Sequence, residues 1–70
     1  MHQANLIRTL KERREELGVT QEYLAELAGV GLRTLKKIES GKGNPTLETM
    51  GKLAEALGME LKLEVKKMTR

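Results

Sequence analysis

The spacing of apolar side chains predicts four short helices in residues 1–58. From about residue 4 to residue 17, Leu6, Leu10, Arg14 and Leu17 recur at intervals of three and four, which is the period of one helix face. Gly18 follows and favours the end of that helix. Arg14 stands in this series at a position where an apolar side chain is expected, so it needs a partner.

Three further helices are predicted after Gly18. Thr20 is the expected N-cap of the second, which ends at Gly29. The third runs from about residue 31 or 32 to 40, and the fourth from about 47 to 57 behind a cap at Thr46. The side chains expected to face inward are Tyr23, Leu24, Leu27, Ala28, Leu35, Ile38, Leu47, Met50, Leu53, Ala54 and Leu57.

The chain changes period after residue 58. Met59, Leu61, Leu63 and Val65 alternate with charged residues, which predicts a half-buried strand. A lone strand leaves amides and carbonyls unpaired, so we expect it to pair antiparallel with the same strand of a second copy. A frayed C-terminal helix is the alternative, and it fits the period poorly.

The central stretch, residues 20–41, has the pattern of a helix-turn-helix that reads DNA. Two short helices flank a tight Gly29-Val30-Gly31 corner. Four residues of the third helix, predicted to contact bases, share one exposed surface: Leu32, Arg33, Lys36 and Lys37. Arginine can donate two hydrogen bonds to guanine, and leucine can contact a thymine methyl. The alternative is a solvated basic surface with one incidental leucine.

Phosphate contacts are expected on both sides of that surface. The candidates are Gln21 at the start of the second helix, Thr34, Ser40 and Lys42. Each also has an ordinary interpretation as a solvated helix or loop residue.

Composition favours double-stranded DNA as the ligand. The 70 residues carry 13 basic and 10 acidic side chains, a net charge of +3, which is a mild preference for polyanions. One tyrosine is the only aromatic residue, so the stacking surfaces of single-strand binders are missing. With no cysteine, so small a domain is expected to gain stability by oligomerisation. No apolar run is long enough for a membrane span, and we expect a soluble, cytoplasmic protein.

The residues offer little to an enzyme. His2 is the only histidine, and no nucleophile with a neighbouring base, phosphate loop or metal-ligand cluster is apparent. We therefore expect no catalytic residue, metal or cofactor. Arg14 and Glu39 both fall on inward-facing positions, and burying either alone is costly. We expect them to pair and to join the first helix to the third.

These motifs resemble the Cro-type (phage repressor, XRE-like) helix-turn-helix family. The resemblance covers about residues 4–58 and is carried by the segments 17–22, 24–30, 33–35, 38–42 and 44–47. It implies operator binding as a dimer, DNA contacts at Gln21 and on the third helix, and an internal salt bridge between Arg14 and Glu39. Gly31 departs from the serine or threonine usual in the family, so the hydroxyl that caps the helix and often contacts a phosphate in that family is missing here.

The terminal strand replaces the fifth helix of phage repressors and is similar to that of HipB-like antitoxins. That resemblance implies autorepression and a HipA-like kinase toxin as partner. The expectation is thus an all-α, compact four-helix domain (residues 1–58) with a C-terminal dimerisation strand and tail (59–70). Its expected function is that of a homodimeric repressor on an inverted-repeat operator, and of an antitoxin. A toxin-neutralising module with weak DNA binding, or a compact helical scaffold, are the alternatives.

Overall fold

The computed structural model describes residues 3–66, and within them the chain forms four helices. They are α1 (Gln3–Glu16), α2 (Gln21–Ala28), α3 (Leu32–Glu39) and α4 (Leu47–Ala56). The prediction of a four-helix domain is confirmed, with boundaries within about one residue of those expected. Residues 1–2, which include His2, and residues 67–70 of the predicted tail lie outside the described residues.

Side-chain caps and a glycine set the helix ends. The Thr20 hydroxyl accepts a hydrogen bond of 3.0 Å from the Tyr23 amide, and the Thr46 hydroxyl accepts one of 3.1 Å from the Thr49 amide. Each cap satisfies an amide that has no partner inside its helix. Gly29 ends α2 at φ +69°, a left-handed conformation that other residues adopt at a cost. The chain therefore turns sharply between α2 and α3.

All four helices contribute to one core. Its buried apolar side chains are Ile7, Leu10, Leu24, Ala25, Leu35, Ile38, Met50, Leu53, Ala54 and Leu57. Ala25 is 5% exposed and Leu24 is 1% exposed. A small side chain at Ala25 suits the close packing of α2 against its neighbours. The helix-turn-helix is thus supported from below by α1 and α4.

Four residues predicted to face inward are exposed instead. Tyr23 and Leu27 are 54% and 53% exposed, because the buried side of α2 is centred on Leu24, Ala25 and Ala28 and the other two project away from it. Leu47 is 80% exposed in the first turn of α4, and Leu17 is 46% exposed just beyond α1. Those predictions were wrong because period alone does not say where neighbouring helices lie.

The C-terminal segment, residues 59–66, belongs to no helix and to no sheet among the described residues. Its first residue is anchored, since the Met59 amide donates to the Ala54 carbonyl at 2.8 Å. Beyond it, residues 60–66 make no backbone hydrogen bond with any described residue. The strand and its pairing in a dimer therefore stay predictions. No helix within residues 3–66 has the length and apolar character needed to cross a bilayer.

Replacing Gly51 with alanine should raise the free energy of unfolding by about 0.5–1 kcal/mol. Gly51 lies inside α4, and a Cβ there would meet no atom within 4 Å. Urea denaturation at fixed protein concentration measures the change. Gly18→Ala is the matched control, because its Cβ also meets nothing but its φ is +71°. That variant should be destabilised, and a loss of stability in both variants would contradict the prediction.

Candidate nucleic-acid interface

Helix α3 separates apolar from basic side chains sharply. Leu35 and Ile38 are 1% and 4% exposed and fix the helix to the core. Arg33, Lys36 and Lys37 are all exposed on the opposite side. Because two buried side chains set the rotation of the helix about its axis, the cationic groups are presented to solvent together. A face of this kind fits a major groove, where side chains meet base edges and phosphates.

Leu32 differs from the exposed leucine that was expected. It is half-buried and packs against the core. The physical reason is its spacing, since Leu32 precedes Leu35 by three residues and Glu39 by seven, which places it on the inner stripe of α3. Only part of its side chain is left for contact with a ligand.

The corner before α3 has no side-chain cap. Gly31 is the N-cap residue, with φ −62° and ψ 141°, and no side chain accepts a hydrogen bond there. The Val30 amide donates to the Ala25 carbonyl at 2.9 Å, and the Leu35 amide donates to the Gly31 carbonyl at 3.0 Å. The backbone thus forms the corner without the hydroxyl that serine or threonine would supply. Residue 31 therefore has no side-chain donor for a phosphate.

A surface cavity of about 290 Å³ lies between the basic face of α3 and the loop that follows it. Its lining includes Arg33, Thr34 and Lys37 from the helix, and Lys42 and Gly43 from the loop. The loop is held to the helix end, since the Lys42 amide donates to the Lys37 carbonyl at 3.1 Å. Three cationic side chains therefore border one concave surface, which is suited to an anionic ligand.

Gly43 allows this loop to lie close to Lys37. A Cβ at Gly43 would stand 3.1 Å from Cδ of Lys37, and the residue has φ +82°. Both space and backbone conformation therefore favour glycine. Gly43 and Asn44 line the cavity but were missed at the sequence level. The glycine-rich loop itself was the available signal.

Beneath this surface, Arg14 and Glu39 form a bidentate ion pair. Nε of Arg14 donates to Oε2 of Glu39 at 2.7 Å, and Nη2 donates to Oε1 at 2.9 Å. Nη1 of Arg14 donates to the Val19 carbonyl at 2.7 Å. The two side chains are 12% and 5% exposed. The hydrogen bond to Glu39 is the main cause that raises the pKa of Arg14, so the guanidinium remains charged.

Gln21 joins the same cluster. Its Nε2 donates to Oε1 of Glu39 at 2.9 Å, and the residue is half-buried. This contact was not anticipated, because Gln21 was expected either to donate to a phosphate or to be a solvated residue in the first turn of α2. Nε2 carries two hydrogens, so one remains for another acceptor. The Glu39 carboxylate therefore links α1, the first residue of α2 and the end of α3.

The other expected phosphate contacts have different environments. Thr34 and Lys42 are exposed. The Ser40 hydroxyl donates to the Lys37 carbonyl at 2.8 Å, so it would have to give up this bond to donate to a phosphate. The structure thus brings Arg33, Thr34, Lys37 and Lys42 around one cavity, and it places Gln21 at the Arg14–Glu39 pair.

A family model described as helix-turn-helix matches residues 10–63. The chain is 47% identical over 55 residues to an uncharacterized HTH-type transcriptional regulator of Methanothermobacter thermautotrophicus, covering 77% of this chain and 80% of that protein. It is 41% identical over 58 residues to such a regulator of Haemophilus influenzae, covering 83% of this chain and 59% of the relative.

A phage protein is also similar to this chain. The cryptic phage CTXphi transcriptional repressor RstR of Vibrio cholerae is 38% identical over 52 residues, which cover 74% of this chain and 46% of the repressor. The chain therefore spans most of the Methanothermobacter relative but less than two thirds of the Haemophilus and Vibrio proteins.

Proposed function

Because this chain belongs to the helix-turn-helix family of transcriptional regulators, we propose that it is a sequence-specific repressor that binds double-stranded DNA as a homodimer. The observation that carries the proposal is the outer face of α3. Arg33, Lys36 and Lys37 are exposed there, while Leu35 and Ile38 anchor the helix from the other side. The helix thus presents donors to base edges on a rigid support.

The roles of individual residues follow from their positions. Arg33 donates two hydrogen bonds to a guanine, and Lys36 and Lys37 contact bases or flanking phosphates. Thr34 and Lys42 border the cavity beside α3, where they donate to the DNA backbone. Gln21 offers its second amide hydrogen to a phosphate while Glu39 holds the first. Leu32 contributes the exposed part of its side chain to a thymine methyl.

One copy makes too few base contacts for strong sequence selection. We propose that two copies associate through residues 59–66, including Met59, Leu61, Leu63 and Val65, and place two α3 helices in successive major grooves. A two-fold symmetric protein binds an inverted repeat, with half-site centres about 10 base pairs apart. The exposed apolar side chains of Leu63 and Val65 support this region as the interface.

Selection from a random-sequence duplex library tests the DNA-binding proposal. The enriched sites should be inverted repeats, and binding to them should weaken steeply as salt rises, because bound cations on the DNA are released. Enrichment of asymmetric sites would argue against the two-fold arrangement. Failure to enrich any sequence over a scrambled duplex would remove the proposed function altogether.

Ending the chain after Gly58 tests the role of the C-terminal segment. The truncated chain should sediment as a monomer and lose affinity for the selected repeat, while far-ultraviolet circular dichroism still reports the four helices. Residues 3–58 contain every helix and every buried apolar residue of the described chain, so the domain should fold. A truncated chain that still dimerises fully would place the interface elsewhere.

An antitoxin role is the finer form of this proposal. The predicted C-terminal strand, which resembles that of HipB-like antitoxins, supports this role. The proposed partner is a HipA-like kinase toxin. Co-expression with a kinase encoded beside this gene should restore growth and give a co-purifying complex. If the chain neutralises the kinase but selects no DNA sequence, toxin neutralisation is its main function.

A further inference from the structure

The C-terminal segment carries a charge pattern that selects one way of pairing with its own copy. Along residues 60–66 the charged side chains are Glu60, Lys62, Glu64 and Lys66, and the residues between them are apolar. When two copies pair antiparallel about a two-fold axis, the residue at the centre of the pairing faces its own copy. The residue numbers of every other directly opposite pair then add up to twice the number of that central residue. Each possible sum can therefore be judged by the charges that it brings together.

A register centred on Leu63 satisfies every position. Glu60 then faces Lys66 of the second copy and Lys62 faces its Glu64, so each charge meets the opposite charge. On the other face, Leu61 meets Val65 and Leu63 meets its own copy. Opposite charges and apolar pairs directly across a ribbon are both stabilising.

Neighbouring registers each bring like charges or unlike faces together. Centring on Lys62 places lysine against lysine and Glu60 against Glu64. Centring on Glu64 places glutamate against glutamate and Lys62 against Lys66. A shift of one residue in the pairing sum sets apolar side chains opposite charged ones, since side chains alternate between faces. Two registers further away avoid like charges but have other drawbacks. Centring on Leu61 shortens the overlap of the two segments, and centring on Val65 places Leu63 opposite Lys67.

Burial of apolar surface decides which face of such a ribbon turns inward. A surface cavity of about 630 Å³ lies beside α4, and its lining is Leu6, Leu47, Gly51, Glu55, Met59 and residues 60–63. Leu47 and Leu63 are 80% and 98% exposed there, so the apolar face of the ribbon would cover apolar side chains that otherwise face solvent. Gly51 leaves open space at the cavity, because a Cβ there would meet nothing within 4 Å. Nζ of Lys62 lies 3.6 Å from Oε2 of Glu64, and both side chains are exposed.

We propose that residues 60–66 of two copies pair antiparallel about Leu63, with the apolar face of this two-stranded ribbon over the α4 cavities and its charged face in solvent. The proposal rests on the homodimer proposed above and specifies its register. Free backbone groups of residues 60–66, which form no backbone hydrogen bond with the described chain, would supply the ladder. The ribbon then fixes the separation of the two α3 helices.

Single cysteines test the register directly, because the chain has no cysteine of its own. Under mild oxidation Leu63→Cys should become a disulfide-linked dimer, since directly opposite side chains lie within disulfide reach. Leu61→Cys or Val65→Cys alone should stay unlinked, because the two copies of each lie roughly 13 Å apart along the ribbon. A mixture of the Leu61→Cys and Val65→Cys chains should cross-link.

Exchange of charges gives a second test that leaves the apolar side chains intact. Lys62→Glu and Glu64→Lys should each weaken self-association roughly tenfold at low salt, because two attractive pairs become repulsive. An equimolar mixture of the two variants should associate again, since every charge then faces its opposite. Sedimentation at two salt concentrations measures both effects.

The outcomes separate the register from the dimer itself. A wild-type chain that is monomeric in sedimentation would overturn both the homodimer and this register. A dimer in which Leu61→Cys alone or Val65→Cys alone cross-links, or in which the mixed charge variants gain nothing, would overturn the register and leave the homodimer. If reduced Leu63→Cys no longer dimerises, the charge variants decide whether the register is correct.

Discussion

Replacing Arg14 with methionine should lower the free energy of unfolding by ~3 kcal/mol. The substitution keeps much of the side-chain volume but leaves the Glu39 carboxylate, which is 5% exposed, without its cation. The Val19 carbonyl also loses the 2.7 Å hydrogen bond that it accepts from Arg14. Gln21 alone still donates to Glu39, and one neutral amide does not offset a buried charge.

Urea denaturation followed by circular dichroism, at fixed protein concentration, measures this loss. Arg13→Met is the matched control, because Arg13 is 37% exposed and donates to the Leu57 carbonyl at 3.0 Å and to Glu16. Its loss should cost about 1 kcal/mol. A second control removes both charges, Arg14→Met with Glu39→Leu, and should recover much of the stability. Equal stability of Arg14→Met and the wild type would contradict an important ion pair.

The pH dependence of this pair follows from the direction of the shift. The pKa of Arg14 is raised, mainly by its hydrogen bond to Glu39. A cation whose pKa rises on folding stabilises the fold fully below its ordinary pKa and loses that contribution only as pH rises through the folded value. Arginine titrates only in strong alkali. The contribution of charged Arg14 to the free energy of unfolding should therefore stay constant between about pH 6 and pH 10.

Replacing Arg33 with alanine should weaken binding to the selected DNA site by ~1–3 kcal/mol per half-site and relax the choice of base at one position. Arg33 is exposed near the start of α3, where it lines a cavity together with Lys37 and Lys42. Its fork of donors matches the acceptors of guanine in the major groove. Loss of this pair should therefore change discrimination as well as affinity.

Fluorescence anisotropy on the selected duplex and on duplexes with single base changes measures both quantities. Lys42→Ala should weaken all duplexes similarly and reduce the salt slope by about one per half-site, because its proposed contact is with phosphate. Lys52→Ala removes the same charge from α4, where Lys52 pairs with Glu48, and should change little. Undiminished discrimination by Arg33→Ala would show that another surface reads the bases.

Local signals in the chain were sufficient to predict the helices and their ends. Threonine caps, a glycine at the α2–α3 corner and three- or four-residue apolar spacing are properties of short segments. The same reasoning placed Arg14 and Glu39 on inward stripes, and the structure joins them. A buried charge is expensive enough that its presence in an apolar series already calls for an opposite charge.

What only the tertiary structure decided is how these helices face one another. Helical period identifies a stripe but not which neighbour covers it, so Tyr23, Leu27 and Leu47 were placed inside although they are exposed, and Leu32 outside although it is half-buried. The contact of Gln21 with Glu39 spans 18 residues, and the cavity beside α3 depends on the close approach of Gly43 to Lys37. Such contacts join distant parts of the chain, and their geometry is set by packing of the whole core rather than by any single segment.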